Sequence, residues 1–304
     1  MCRVLAYLGS PIVLKDLLYS PDSSLIKQSY DSRMLGMLNL AGFGLAAWDE
    51  RSVNPEKPIS YKTTIVPVFD SNLHVLSEKF QTHCLLAHVR GVILSHQAEI
   101  NMQNLHPFSF RGTPMVFAHN GDLAQFREMR YDLLEFVKPE IGALITGTTD
   151  SELMYALFLS QFDDPGKFQD PLDMVDAVSK SMAIIRKVRD RVDINTSSSA
   201  NLFITDGRHL VATRFTFDFG CYGHKFHETN LSYLSLWFTF GREYGFHDDE
   251  WKMVGGHERS DSIIVSSEPL TVETSTWLEL SEYSALYVSH KGGRRQANTV
   301  ELNA

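Results

Sequence analysis

The sequence opens with Met1-Cys2-Arg3-Val4-Leu5-Ala6-Tyr7-Leu8, and this stretch decides how the rest of the chain is interpreted. The run from Val4 to Leu8 is apolar or aromatic at every position, which is typical of a strand buried on both faces. Chain termini are usually loose, so a buried strand directly after Cys2 is unusual. If Met1 is removed, Cys2 carries a thiol and a free α-amine, with reference pKa values of about 8.5 and about 8. The stretch therefore predicts a nucleophile and its base in one residue, with a small buried residue at position 2 as the alternative.

The bulk composition is that of an ordinary globular protein. The chain has 304 residues, of which 43% are hydrophobic and 21% charged. The net charge of -9 argues against a nucleic acid or an acidic membrane as partner. No apolar run approaches the roughly 20 residues that span a bilayer, and the run after Arg3 is too short for a signal-peptide core. We therefore expect a cytoplasmic protein with no nucleic-acid or membrane partner.

The cysteines and histidines give no sign of a metal site. Cys2, Cys84 and Cys221 are odd in number and widely spaced, which suits neither a disulfide framework nor a zinc knuckle. The spacing of His88, His106 and His119 fits no common zinc pattern, and hydrogen-bonded structural roles are expected for them. The sequence predicts no metal and no cofactor.

The order of predicted elements indicates an α+β protein with helices outside stacked sheets. A helix is predicted from a capping pair at Thr149 and Glu152, and another from Asp170-Pro171. The absence of a repeat or linker predicts one domain over residues 1–290, followed by a polar, loose tail over 291–304. Strands are predicted at 3–8, 42–48, 84–89, 115–118, 201–205, 209–215, 231–240, 262–265 and 285–289, with a hairpin turn at 206–207.

Two further clusters carry chemistry. His119-Asn120-Gly121 follows an apolar run, and the Asn120 amide with the Gly121 N–H suits the oxyanion formed when a thiolate adds to an amide. The alternative is an ordinary Asn-Gly hairpin turn. Arg90 closes another apolar run and Asp150 opens a helix; an arginine fork and an aspartate suit the carboxylate and ammonium of a free amino acid. For either of these two residues, a structural salt bridge is the alternative.

Taken together, these segments resemble the class II glutamine amidotransferases, and more narrowly the small stand-alone branch that begins Cys-Arg-x-Leu-Ala-Tyr. The resemblance implies a four-layer αββα sandwich of the N-terminal-nucleophile hydrolases, with two antiparallel sheets between helical layers. It makes Cys2 the nucleophile, and Asn120 with Gly121 the oxyanion hole. The segments that carry it are MCRVLAYLG, AGFGLAAW (41–48), LLAHVRG (85–91), NLHPF (104–108), FAHNGDL (117–123), GTTDSE (147–152) and, more weakly, SIIVSSEPL (262–270).

The resemblance also assigns the substrate contacts. Arg90 and Asp150 would bind the carboxylate and amine of the glutamyl group, and His119 is a further candidate for substrate contact. Two departures indicate a changed pocket: Ala41 replaces a carboxylate that is common in relatives, and residues 91–96 differ from the small-residue run expected there.

The predicted function is an amidohydrolase that cleaves the γ-amide of glutamine or of a γ-glutamyl compound through a thioester at Cys2. Two alternatives stay open: a glutaminase-like subunit that works with a separate acceptor or peptidase subunit, and a non-catalytic binding or regulatory module that keeps the fold. Measured release of ammonia or glutamate separates the enzyme from the module.

Overall fold

Two antiparallel sheets of seven strands each, packed face to face, form the centre of the computed structural model. It describes residues 2–34, 36–91, 99–219, 234–255, 261–291 and 294–303, without the side chains of His290, Lys291 and Arg294. The strands of the first sheet are β1 (Arg3–Val13), β2 (Phe43–Trp48), β3 (Ile59–Thr63), β4 (Gln81–Val89), β10 (Trp237–Gly241), β13 (Ser262–Ser266) and β14 (Leu278–Glu279). Those of the second are β5 (Phe108–Ser109), β6 (Val116–Asp122), β7 (Ser198–Thr205), β8 (Leu210–Arg214), β9 (Thr216–Phe217), β15 (Ser284–Lys291) and β16 (Arg294–Glu301).

The remaining elements flank these sheets. The first sheet runs in the order β14-β10-β13-β1-β4-β2-β3, and the second in the order β16-β15-β8-β7-β6-β5, with β9 paired to β7. A separate hairpin consists of β11 (Glu243–His247) and β12 (Glu250–Val254). The α-helices are α1 (Lys15–Leu18), α2 (Ser71–Lys79), α3 (Phe126–Leu134), α4 (Pro139–Gly142), α5 (Asp150–Leu159) and α6 (Pro171–Arg191), and short 3₁₀ turns lie at Lys27–Ser29, Pro67–Phe69 and Met102–Asn104.

Successive side chains on the central strands point to opposite faces of each sheet, and this alternation defines the layers. On β1, Val4 and Ala6 point into a core between the two sheets, whereas Leu5 belongs to a core with α1 and α2 on the outer face. On β6, Ala118 faces the other sheet and Phe117 packs with α5 and α6. The order is therefore helices, sheet, sheet, helices, which confirms the predicted four-layer αββα sandwich.

Most sequence-predicted elements are confirmed. β1 lies between β4 and β13 and is buried from Arg3 to Gly9, as the opening apolar run predicts. β7 and β8 form the predicted hairpin around residues 206–207. In the region predicted as a strand over 231–240, the structure has β10 from Trp237 onward, and residues 231–233 lie outside the described residues.

The helix starts are confirmed with one difference. Asp170 caps α6 by accepting a hydrogen bond from Leu172 N (2.9 Å), and Pro171 is its first residue. Thr149 caps α5 by accepting from Glu152 N (3.2 Å). The reciprocal half of the predicted capping box is not formed, because the Glu152 carboxylate accepts instead from Gly147 N (2.6 Å) and Thr146 N (3.0 Å). Glu152 thus holds the loop that leads into α5.

The prediction of a loose tail is wrong for most of residues 291–304. Residues 294–301 form β16, which pairs with β15 from Arg294 to Glu301 and covers what would otherwise be an open sheet edge. Ala297 packs against the core between the sheets, and Leu302 is buried in the core under α5 and α6. A few apolar side chains therefore hold a segment whose composition is mainly polar. In the described part of the chain, no helix is long and apolar enough to cross a membrane.

Candidate active site

Cys2 lies where the two sheets meet, directly before β1. Its main-chain nitrogen donates to Asn120 Oδ1 on β6 of the other sheet (3.1 Å), and its side chain is buried. The Gly91 N–H donates to Cys2 Sγ (3.4 Å) from the chain that follows β4. The fold thus brings position 2, Asn120 and the end of β4 together from three distant parts of the sequence. Three parts of the chain discussed above lie outside the described residues: Met1, residues 92–98 and Cys221.

Asn120 and Gly121 lie inside strand β6, so the alternative of a hairpin turn is wrong. They pair with Asn201 and Ala200 of β7. Asn120 is fully buried, and its Nδ2 donates to Ser267 Oγ (2.9 Å), which also accepts from Val4 N (3.1 Å). These bonds fix the amide with its oxygen toward Cys2. An amide nitrogen carries two hydrogens, and Ser267 takes one of them.

Gly121 is required by packing as well as by any chemistry. A Cβ atom at this position would lie 1.9 Å from the Ser199 carbonyl oxygen and 2.3 Å from His119 Nε2. The first contact is with a main chain in the middle of a sheet, which cannot move without disturbing the β6–β7 pairing. The sequence did not reveal this constraint, because it depends on the neighbouring strand.

Protein groups hold His119 on both ring nitrogens. Nε2 lies 3.0 Å from the Ser199 carbonyl oxygen, and Nδ1 lies 2.9 Å from Ser151 Oγ at the start of α5. Because a carbonyl only accepts, the first bond assigns a proton to Nε2. This geometry matches the hydrogen-bonded structural role. Contact between His119 and substrate stays a prediction.

Arg90 and Asp150 are both held by uncharged groups within the described residues. The Arg90 guanidinium donates to the carbonyl oxygen of Asn104, and its main chain bonds to that of Ala41 and Gly42. Asp150 accepts from the main-chain nitrogens of Leu123 (2.8 Å) and Ser151 (2.7 Å). Their charges are therefore available to a charged ligand, unlike those of a structural salt bridge. The departure at Ala41 lies against Arg90, at this recognition end of the site.

The charges of Arg90, Cys2 and Asp150 influence one another. Burial lowers the pKa of Arg90, and negative charge at Cys2 and Asp150 opposes that shift. Arg90 is thus close enough to both residues for their charges to interact. The side chains predicted for attack and for recognition consequently share one site.

A buried ion pair lies beside Cys2 and was not predicted from the sequence. Arg3 is fully buried; its Nε lies 3.4 Å from Glu268 Oε2 and its Nη1 donates to the Cys2 carbonyl oxygen (3.3 Å). Burial lowers the pKa of Arg3 to about 10, partly offset by Glu268. The Glu268 carboxylate also accepts from Ser32 Oγ (2.7 Å) and Arg33 N (2.8 Å). The sequence did contain a signal for this ion pair: each of the two mainly apolar motifs, MCRVLAYLG and SIIVSSEPL, includes one charged residue.

His88 and His106 depart from the expected hydrogen-bonded roles. Their rings stack with centroids 4.1 Å apart, and both side chains are buried. Among the described residues, none of their four ring nitrogens has a hydrogen-bond partner. Burial, reinforced by Arg90, lowers the pKa of His88 to about 3, and burial likewise lowers that of His106. The pair is therefore neutral at physiological pH.

Burial of His88 and His106 in the neutral form should lower the free energy of unfolding in acid. A native pKa below the ordinary value near 6.5 means that the unfolded chain binds protons that the native state does not. Stability is thus complete above about pH 6.5 and declines below it, by up to about 1.4 kcal/mol per pH unit for each such histidine. We expect His88→Phe to flatten this slope in urea unfolding measured from about pH 7 down to about pH 4.5.

The exposed His74 provides the matched control, and His74→Phe should leave the slope of the wild-type protein unchanged. Phenylalanine at position 88 keeps an aromatic ring against His106 and removes only the buried nitrogens, so stability at pH 7 should change little or rise. An unaltered slope in His88→Phe would contradict the assignment of a buried neutral histidine.

Solved structures define the class of fold. The chain aligns over 99% of its length with all of a glutamine aminotransferase class-II domain protein from Silicibacter pomeroyi, with a TM-score of 0.63 and 21% identity. It also aligns over 97% of its length with glutamine phosphoribosylpyrophosphate amidotransferase from B. subtilis, with a TM-score of 0.53 and 15% identity. The chain spans about half (48%) of that second protein. These likenesses place the sandwich in the N-terminal-nucleophile type of fold.

Sequence comparisons then give the family. Residues 31–303 match the class-II glutamine amidotransferases. The chain is 30% identical to "Probable glutamine amidotransferase DUG3" of Saccharomyces cerevisiae, across 95% of this chain and 82% of that protein. It is 25% identical to the gamma-glutamyl-hercynylcysteine sulfoxide hydrolase of Mycolicibacterium smegmatis, across 70% of this chain and 78% of that protein. The chain belongs to the class II glutamine amidotransferases, and it is an enzyme.

Proposed function

We propose that this enzyme cleaves the γ-amide of glutamine or of a γ-glutamyl compound through a γ-glutamyl thioester on Cys2. One observation carries the proposal: the main-chain nitrogen and the thiol of Cys2 are held by Asn120 and Gly91 at the start of a buried strand, next to Arg90. A terminal residue held at both of these atoms is suited to chemistry that needs both of them. After removal of Met1, the nitrogen becomes the α-amine.

The reaction starts when the Cys2 thiol attacks the γ-carbonyl carbon and its proton passes to the α-amine. Asn120 Oδ1 accepts one hydrogen of that amine and so orients its lone pair. The second Nδ2 hydrogen of Asn120 and the Gly121 N–H bind the oxyanion, and loss of one such donor costs on the order of 3 kcal/mol of barrier. Collapse breaks the C–N bond, and the α-ammonium returns the proton to the leaving amine. Water then attacks the thioester, which releases glutamate and regenerates the thiol.

Recognition is assigned to Arg90 and Asp150, neither of which forms a salt bridge with another residue in the described part of the chain. Arg90 binds the α-carboxylate of the γ-glutamyl group, and Asp150 binds its α-ammonium. The main-chain bonds from Leu123 and Ser151 set the direction of the Asp150 carboxylate. His119 supports this arrangement through Ser151 Oγ. The site thus favours a γ-glutamyl group with both α-substituents free.

We propose that the enzyme also releases amines larger than ammonia. The M. smegmatis relative is named for a γ-glutamyl substrate whose leaving group is far larger than ammonia. We place this chain in the branch of the family with the motif Cys-Arg-x-Leu-Ala-Tyr, because residues 2–7 read Cys-Arg-Val-Leu-Ala-Tyr. The catalytic domain, predicted as residues 1–290, would extend through β16, which completes its second sheet. A separate acceptor or peptidase subunit is the second arrangement to test.

The test is glutamate release from L-glutamine, γ-glutamyl dipeptides and γ-glutamyl thiol compounds. We expect release from at least one of them. We expect none from the matching α-linked glutamyl dipeptides, which have no free α-carboxylate on the glutamyl group for Arg90. Turnover only after another protein is added would support the two-subunit arrangement. No release under either condition would contradict the proposed cleavage of glutamine and γ-glutamyl compounds.

A further inference from the structure

The connector formed by residues 99–107 bonds to Arg90 at the end of β4 and to Thr148, two residues before Asp150. Two cations hold consecutive carbonyl oxygens of it: the Arg90 guanidinium donates to that of Asn104, and Lys62 Nζ donates to that of Leu105 (2.7 Å). Hydrogen bonds from charged donors are stronger than neutral ones. The connector is therefore firmly attached to β3 and to the end of β4.

Close packing against β2 also fixes the connector. A Cβ atom on Gly44 would lie 2.0 Å from the His106 carbonyl oxygen, and one on Gly42 would lie 2.9 Å from the Leu105 side chain. Gly42 also has a φ of 113°, which other residues rarely adopt. With main chain against main chain at Gly44, the connector has no room to move toward the sheet.

On its other side, the Asn104 side chain is bonded to the segment that leads into α5. Its Oδ1 accepts from Thr148 N (2.9 Å), and its Nδ2 donates to Thr148 Oγ1 (3.1 Å) and to the Glu99 carbonyl oxygen (3.3 Å). The side chain is almost fully buried, although Thr148 is exposed. Thr148 is two residues before Asp150. A buried amide with three partners on its two polar atoms is a rigid junction.

We propose that Asn104 is a positioning residue that sets the separation between Arg90 and Asp150. Its main chain holds Arg90, at the end of a first-sheet strand, and its side chain holds the start of α5, which packs on the second sheet. The α-carboxylate and α-ammonium of a γ-glutamyl group are a fixed distance apart, so the two protein charges must match that distance. The inference rests on the proposed function, which assigns those two groups to Arg90 and Asp150.

Asn104→Ala separates this role from the chemistry at Cys2. The variant keeps the main-chain carbonyl that Arg90 uses, but it releases Thr148 and hence the start of α5. The α-carboxylate and α-ammonium do not react, so substrate and transition state should lose the same binding when the two protein charges move apart. We expect KM for the preferred γ-glutamyl substrate to rise about tenfold or more, and kcat to stay within about threefold.

Two further variants and one labelling measurement make this test specific. Asn104→Asp keeps an acceptor for Thr148 N, so its KM should be lower than that of Asn104→Ala. Gln103→Ala removes an exposed side chain from the same connector and should behave as wild type. The rate at which iodoacetamide alkylates Cys2 should be equal in wild type and Asn104→Ala, which a general loss of structure would not allow.

A binding measurement keeps this inference distinct from the proposed function. Calorimetric titration of L-glutamate into Cys2→Ala, and into Cys2→Ala with Asn104→Ala, measures recognition without turnover. We expect the double variant to bind L-glutamate at least about tenfold more weakly than Cys2→Ala does.

Equal affinity in the two proteins, or a fall in kcat without a rise in KM, would overturn the role of Asn104 even if the enzyme hydrolyses its substrate. If the wild type hydrolyses nothing but the two affinities differ as expected, the proposed reaction fails and the positioning role stands. If L-glutamate binds neither protein, both fail.

Discussion

Cys2→Ala should abolish glutamate release, with kcat/KM falling by at least about 10³-fold relative to the wild-type enzyme. The substitution removes the only atom that can form the proposed thioester, and no other thiol among the described residues lies near Asn120. It leaves the main-chain nitrogen that bonds to Asn120 Oδ1, so the fold around the site should persist. Initial rates of glutamate release from the best substrate of the panel provide the measurement.

Cys84→Ala is the matched control. Cys84 lies in the core between the sheets, bonds to Thr205 Oγ1 (3.2 Å), and has a pKa that burial raises to about 12. It is therefore a structural thiol, and its loss should leave kcat/KM within about twofold of wild type. If Cys2→Ala retained activity, or if both variants lost it equally, Cys2 would not be the nucleophile.

Among the substitutions proposed here, Glu268→Gln should lower the free energy of unfolding the most. The change leaves the fully buried Arg3 guanidinium without its counter-charge, and breaking a buried pair from one side typically costs roughly 3–5 kcal/mol of unfolding free energy. It also weakens the bonds that hold Ser32 and Arg33. Urea unfolding at neutral pH measures the loss.

An exposed ion pair supplies the comparison. Glu78→Gln removes the partner of Lys15 on the protein surface, where water screens the pair, so the unfolding free energy should change little. A replacement of both Arg3 and Glu268 by apolar residues should recover much of the stability lost in Glu268→Gln, since the uncompensated charge is then gone. Equal losses from Glu268→Gln and Glu78→Gln would contradict a buried, energetically coupled pair.

Local patterns predicted much of the fold. The opening apolar run, the Asp206-Gly207 turn and the caps at Thr149 and Asp170 each depend on residues close in sequence, and each is confirmed. The strand over 294–301 was missed because its stability comes from pairing with β15 and from a few side chains that reach the core, which composition does not reveal.

The candidate site was predicted as a set of residues but not as a geometry. Motifs pointed to Cys2, Arg90, Asn120, Gly121 and Asp150, and the structure brings these five together. The supports of the site join distant parts of the chain and could not be predicted. Arg3 meets Glu268, and Asn104 meets Thr148. The two stacked histidines likewise come from different segments, and only the fold shows that their nitrogens are unpaired.

The most direct test of the central claim is the intact mass of the purified protein before and after incubation with 6-diazo-5-oxo-norleucine, an electrophilic glutamine analogue. We expect a chain that lacks Met1 and gains a single adduct, which peptide mapping places on residue 2. A chain that retains Met1, or an adduct on any other residue, would contradict an N-terminal cysteine that acts as both nucleophile and base.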